Sequence, residues 1–301
     1  NIFEETPRHA RQLRLEIPIL SNGELERIRQ LDKPGLKSIT LPILFDPNEA
    51  PGALERALEA LFHRTSEAID DGFSIIILSD RGADSKRVPI PSLLATSGVH
   101  HHLIREGKRI KVGLVVESGE PREVAHLALL IGYGAGAINP YLALETLALM
   151  ASQDSFPELV DAKEAEKNCV KALTKGLLKI ISKMGISTIH SYHGAQIFEA
   201  VGLSQPLVEK YFTWTASRIG GIGIETLERD ALRRHKSAYP EAEVAANADL
   251  DAGGNYYWRR DGEYHMWNPD TVAKLQYAAR TNDAGAYKEF ATLANAYENR
   301  F

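Results

Sequence analysis

The chain is short of the residues that usually make chemistry legible. It has a single cysteine, Cys169, which excludes an internal disulfide framework and cannot alone build a zinc or iron–sulfur site. No histidine lies near Cys169 in sequence to act as a base, so it reads as an inert helix residue. No apolar run reaches the roughly 18 to 20 residues of a membrane-spanning helix, so no membrane is expected as a partner. Positive charge is not in excess: 35 Lys and Arg stand against 40 Asp and Glu, a formal charge of -5. That balance offers no general attraction for phosphate backbones, and nucleic acid is not expected either. The opening NIFEETPRHARQL has neither a signal-like apolar stretch nor an initiating methionine and reads as an internal start.

What the 301 residues do contain is alternation. EIPILSNGELERIRQL reads as an extended piece, a cap at Ser21 or Asn22, and a short helix ending near Leu31; Ser21 with Glu24 fits a capping box. KSITLPILF is an apolar strand, and GALERALEALFHRTSEAIDDG is a long amphipathic helix closed by Gly72. FSIIILSD and RIKVGLVVES have the continuous apolar character of strands covered on both faces. Helical SLLATSGVHHHLIREG separates them, and PREVAHLALLIGYG leads to a short strand at AGAINP and a helix at YLALETLALMAS. In NCVKALTKGLLKIISKMG, residues Val170, Leu173, Leu177, Ile180 and Ile181 recur on one helical face. ISTIHSYHGAQIFEAVGL reads as strand, loop and short helix, followed by a helix at PLVEKYF. Strands alternating with helices at this spacing predict a parallel α/β fold. Eight regular units are not evident, so a degenerate or incomplete (β/α)8 TIM-barrel-like domain is expected. Residues 1–37 read as an N-terminal linker or docking segment, and 38–301 as the barrel-like domain, with a helical appendage from about residue 240.

Several groups sit where a barrel enzyme would place chemistry. Ser79, Asp80 and Arg81 follow the IIIL strand, where Asp80 suits a base and Arg81 an anion clamp, or the pair a local salt bridge and turn. Glu117, Ser118 and Asn139 end later strands; they suit a barrel mouth or, more commonly, satisfy loop backbone. His100, His101 and His102 cannot all face one ion from adjacent helical positions. His102 shares a face with Glu106, and His126 lies near in sequence, but satisfied or capping histidines are the commoner arrangement. SRIGGIGIE, from Ser217 to Glu225, has glycines suited to phosphate approach without the dinucleotide fingerprint. GYGAGAINP has its glycines after a helix, as in a tight helix-to-strand connection. Tyr256, Tyr257, Trp258, Tyr264 and Trp267, with Arg259 and Arg260, suit packing of an appendage better than stacking on RNA.

In EETPRHARQLRLEIPILSNGELERI, SIIILSDRG, IPSLLATSGVHHHLI, KVGLVVESGEPREVAHLALLIGYGAGAINPYLALETL, KGLLKIISKMGISTIHSYHGAQIFEAVGL, SRIGGIGIETLERDA and YWRRDGEYHMWNPDTVAKLQ, the chain resembles the central domain of the large subunit of glutamate synthases, ferredoxin- or NADPH-dependent. The resemblance covers nearly the whole chain. It implies a degenerate relative of FMN-linked oxidoreductase barrels, set between a glutamine amidotransferase domain and a synthase domain that holds FMN and an iron–sulfur cluster. No catalytic, cofactor or metal site is expected in this chain itself. The parent reaction it implies forms two L-glutamates from L-glutamine and 2-oxoglutarate, with ammonia crossing an internal tunnel. Asn22 in PILSNGEL and Thr40 in the SIT segment resemble the family's tunnel entrance; His193 in SYHGAQIFEAVG is given no catalytic task. Placement in the cytoplasm or a plastid stroma is expected. The competing expectations are an independent FMN-dependent barrel, with backbone amides of Arg218 to Gly223 on phosphate, and a docking module without a channel role.

Overall fold

The computed structural model describes residues 12–153, 161–240, 253–254 and 256–296; the opening NIFEETPRHA lies outside them. Two compact units are present, Asn1–Tyr239 and Pro240–Phe301.

In the larger unit the chain first forms α1 (Asn22–Arg29), then β1 (Asp32–Lys33) and β2 (Leu36–Pro42). α1 starts as expected: Ser21 accepts from the Glu24 N–H while the Glu24 side chain accepts from the Ser21 N–H. β3 (Leu44–Phe45), α2 (Ala53–Asp70), β4 (Ile75–Ser79), β5 (Val88–Pro89), α3 (Ser92–Arg105), β6 (Gly113–Glu117), α4 (Val124–Gly132) and β7 (Ala137–Asn139) follow. The main sheet has the order β1-β2-β4-β6-β7, with β1 antiparallel to β2 and every other pair parallel. β3 and β5 form a separate antiparallel ribbon. The parallel strands are neighbours in chain order, each joined to the next through a helix, as consecutive units of a barrel wall would be.

The two faces of the sheet are buried by different partners, following the twofold alternation of a strand. Ile76, Leu78 and Leu114 pack against Leu54, Leu58, Leu61 and Phe62 of α2 and Val99 and Leu103 of α3. Farther along the same face, Val116 and Ile138 meet Leu127 and Ile131 of α4 and, from α6 (Ala162–Lys183), Leu173, Leu177 and Ile181. α4 and α6 approach so closely that a Cβ on Gly176 would stand 2.4 Å from a methyl of Val124. On the opposite face Ile75, Ile77, Val115 and Ala137 are covered by Leu20, Leu25 and Ile28. Part of the segment expected as a linker is therefore core, and α1 lies where the far wall of a barrel would stand.

The α/β class holds, but the sheet does not close into a barrel among the described residues. Beyond β7 it gains only a single parallel bridge, Ile19 to Ile138. The chain continues as α5 (Tyr141–Ser152), α6 and α7 (Ile189–Tyr192). It then forms β8 (Glu199–Leu203), α8 (Gln205–Tyr211), β9 (Ala216–Ile222) and α9 (Ile224–Ala238), with β8 and β9 in their own two-stranded parallel sheet. The physical reason lies in composition: β9 is largely exposed and lacks the unbroken apolar run that a strand covered on both faces needs. The expected strand at ISTIH is instead the short helix α7, because the Thr188 hydroxyl accepts from the Ser191 N–H and caps it. The strand in this segment comes later, in β8, where a helix was expected.

The smaller unit contains the helical pair α10 (Pro269–Thr281) and α11 (Ala284–Asn295), turned at Asn282 in the left-handed conformation (φ 55°). In it Trp267 stacks on Phe290 at 6.1 Å and Arg259 lies over Tyr257 at 5.3 Å, while Tyr256, Tyr257 and Trp267 stay largely exposed.

Candidate functional site at the carboxyl end of the sheet

Strand register places Pro42, Ser79, Glu117 and Asn139 in one lateral row at the carboxyl ends of β2, β4, β6 and β7. Thr40 lies two residues before Pro42 on the same face. Because Ser79, Glu117 and Asn139 share the parity of Ile75, Ile77, Val115 and Ala137, they face α1 rather than the outer helices. Parallel α/β sheets bind ligands at this end, and an open cavity of about 610 Å³ lies here. It is lined in part by Asn22, Arg29, Ser79, Arg81, Glu117 and Glu145.

Glu117 is the centre of the site. Its carboxylate is buried and accepts 2.9 Å hydrogen bonds from Arg29 at both oxygens, one of 2.9 Å from Arg81 Nε, and one of 2.5 Å from the Ser79 hydroxyl. Burial alone would raise its pKa; the Ser79 hydroxyl and the two guanidiniums outweigh that cost and hold it below the ordinary carboxylate range. Arg29 also donates to the Thr40 hydroxyl at 2.6 Å. Arg81 donates to Glu145 at 2.8 Å and lies over the Tyr141 ring at 4.2 Å. Asn22 donates to the same Glu145 oxygen at 2.9 Å, and its own carbonyl accepts from Asn139 at 2.9 Å. α1 is thus pinned at both ends: Asn22 at its start is tied to α5 and the β7 terminus, and Arg29 at its end to β2 and β6.

Asp80 belongs to a second, buried cluster. It accepts from the Ser118 hydroxyl at 2.5 Å and the Gly119 N–H at 3.0 Å. Desolvation pushes its pKa up, although the Ser118, Gly119 and Tyr141 hydrogen bonds oppose the shift. Of the local salt bridge and capped turn weighed for Asp80 and Arg81, the turn is present at Ser118 and Gly119, but Arg81 pairs with Glu117 and Glu145 rather than with Asp80. Glu117, Ser118 and Asn139 do converge on the sheet end, but on one another and on α1.

The other sequence candidates separate. His102 stacks on Phe62 at 5.2 Å and hydrogen-bonds the Ser66 hydroxyl at 2.8 Å. His100 accepts from Arg109 Nε at 2.9 Å. Among the described residues no group of three or more His, Cys, Asp or Glu is placed to hold a metal ion. Arg218 to Ile222 run within β9, paired with β8, rather than in a phosphate loop. A Cβ on Gly221 would lie 2.2 Å from the Gly202 carbonyl oxygen, so strand approach accounts for that glycine and the residues do not fit an FMN phosphate. GYGAGAINP is the tight helix-to-strand connection, with Gly134 at φ 111°. Burial pushes the Cys169 thiol pKa up, away from a reactive thiolate.

Sequence reasoning missed Arg29 and Glu145. Arg29 stands 88 residues from Glu117, and Glu145 sits among the apolar residues of α5. The local signal for Arg29 was the short helix itself, which carried a cation toward a strand terminus.

Fold and rim define a class: an α/β domain with an open, mainly parallel sheet whose carboxyl-end groups are bonded mainly to each other. The chain belongs to the glutamate synthase central domain family, whose model matches residues 1–204. Curated relatives agree. The glutamate synthase [NADPH] large chain of Bacillus subtilis is 42% identical over 98% of this chain and 19% of its own length. The ferredoxin-dependent, chloroplastic glutamate synthase of Spinacia oleracea is 39% identical over 95% of this chain and 18% of its own. The glutamate synthase [NADH] of Schizosaccharomyces pombe is 38% identical over 96% and 14%. The chain therefore spans about a fifth or less of these relatives' length. Among solved structures, a flavocytochrome b2 variant overlaps 70% of this chain and 44% of its own at 14% identity and a TM-score of 0.37, an overlap that assigns no fold.

Proposed function

We propose that the chain is a noncatalytic linking domain of glutamate synthase, set between a glutamine amidotransferase domain and an FMN synthase domain, and that it forms part of the wall of an internal ammonia passage. The observation that carries this reading is the saturation of the rim. Glu117, a deeply buried carboxylate facing the cavity, receives four hydrogen bonds, and its pKa is held down. A general base must be free to reach a substrate proton and hold a pKa near the working pH; Glu117 meets neither condition. A fixed wall of mutually bonded groups suits enclosure, which keeps released ammonia from protonation and loss in bulk water.

Asn22 and Thr40 are the tunnel-lining residues in this proposal. Asn22 lines the cavity directly, and Thr40 stands one hydrogen bond behind Arg29, which lines it. The parent reaction would make two L-glutamates from L-glutamine and 2-oxoglutarate, with FMN and an iron–sulfur cluster in the synthase domain carrying the reducing equivalents. The chloroplastic label of the Spinacia oleracea relative supports a plastid setting where the source is photosynthetic.

The test is coupling in the parent glutamate synthase carrying Asn22→Ala or Thr40→Val. Free ammonia should rise and glutamate formed per glutamine hydrolysed should fall, with assembly intact. Weakened assembly without leakage would replace the passage by a pure docking role. Stoichiometric FMN on this chain alone would support the independent flavoenzyme instead.

A further inference from the structure

At the amino end of the sheet, opposite the rim, lies a second cavity of about 240 Å³. It opens between the ends of α3 and α4 and the segments preceding β8 and β9, and its volume is below the roughly 300–1,000 Å³ of drug-sized ligand sites. Its walls are aromatic. Tyr133 stacks on Phe198 at 5.8 Å, Tyr192 meets Phe198 edge-on at 6.5 Å, and Trp214 stands at the mouth, 80% exposed. Trp214 has φ 66° and Gln196, across the same mouth, φ 53°; both are non-glycine residues in the left-handed region, where strain of this kind gathers at ligand clamps.

Two polar groups here, His100 and Arg105, are less fully bonded than those of the rim. The Tyr192 ring backs the inner wall; its hydroxyl is sealed off from the cavity and has no hydrogen-bond partner among the described residues. His100 accepts from the Arg109 guanidinium at Nδ1, so the neutral ring carries its proton on Nε2, the nitrogen left to donate. Its neutrality follows from burial first and then from Arg109, which together depress its pKa to about 3. Arg105, exposed at the edge of the cavity, donates to the Thr213 hydroxyl at 3.4 Å and makes no ion pair among the described residues.

We infer that this cavity is a binding site for a small planar aromatic carboxylate of one or two fused rings. The ring would lie between Trp214 and the Tyr133–Phe198 stack, and the carboxylate would meet Arg105 and the His100 Nε2 donor. The combination selects the class: stacking surfaces favour a flat ring, an unpaired guanidinium favours a carboxylate, and the small volume excludes a dinucleotide. An aromatic side chain of an adjoining domain is the competing occupant; it would use the stack but leave Arg105 without a carboxylate.

The experiment is calorimetric titration of the 301-residue chain with 2-naphthoate, naphthalene-2-methanol and cyclohexanecarboxylate. Saturable 2-naphthoate binding below about 1 mM is expected, with each analogue at least about tenfold weaker. Trp214→Ala and Arg105→Gln, both at exposed positions, should each weaken 2-naphthoate about tenfold. Absence of saturable binding overturns the inference in favour of a side-chain occupant. Equal affinity for naphthalene-2-methanol, or unchanged affinity in Trp214→Ala or Arg105→Gln, also overturns it.

Discussion

The two ends of the parallel sheet use polar groups in opposite ways. At the carboxyl end, Arg29, Arg81, Glu117, Glu145, Asn22 and Thr40 bond to one another around an open cavity. At the amino end, aromatic rings enclose a smaller space; among the described residues Arg105 at its edge has no counter-ion, and the Tyr192 hydroxyl buried behind its wall has no partner. In a barrel enzyme the carboxyl end is where groups stay available for substrate. Here those groups are consumed in fixing α1 across the sheet. Position in a fold therefore does not confer function; the availability of the groups at that position does.

The sharpest way to break this contrast is to remove its centre. Glu117→Ala leaves two cations and the Ser79 hydroxyl facing each other, and should cost about 3 kcal/mol in urea unfolding; this is the low end for a broken buried pair, since both arginines keep some contact with water. The same variant should acquire sulfate affinity, seen as a rise in Tm with sulfate that wild type does not show. An unchanged urea midpoint would mean that the rim is not a cooperative network.

Acid should separate the two ends. His100, facing Arg109, His101 and His193, has its pKa depressed to about 3, and His101, beside Arg105, to about 4, in both cases chiefly by burial. Both rings stay neutral in the folded state while the unfolded chain protonates near 6.5. Their stability contribution is thus complete above about pH 6.5 and is lost as pH falls toward those folded values. Glu117, with a lowered pKa, contributes stability that is present above the ordinary glutamate pKa near 4.5 and lost as pH falls through its lower folded value. Urea midpoints measured from pH 8 to pH 4 should decline from about pH 6.5 in wild type, and less steeply in His100→Gln. A decline that begins only below pH 5 would deny the histidine contribution.

Smaller effects test the pins of α1. Asn22→Ala removes the bonds to Glu145 and Asn139 and should cost about 1 kcal/mol. Ser21→Ala removes the capping box and should cost a similar or smaller amount, about 0.5–1 kcal/mol. Both are read as shifts in urea midpoint at unchanged slope. Hydrogen exchange in Glu24–Ile28 should rise in each variant, while β4 stays protected.

Much of this could be read from the chain alone, because local physics decides it. The runs Ile75–Leu78 and Leu114–Val116 are apolar at every position, so they had to be strands covered on both faces. The Ser21–Glu24 pair set a helix start, Gly72 a helix end, and the spacing of Leu173, Leu177 and Ile181 a helix face; each depends on neighbours within a turn or two. Tertiary structure decided the rest. No local rule links Arg29 to Glu117 across 88 residues or tells an open sheet covered by α1 from one continued by further strands. The same holds for the unpaired Tyr192 hydroxyl: a buried polar atom is satisfied or not according to which segments pack around it, and that is fixed only when distant parts of the chain meet.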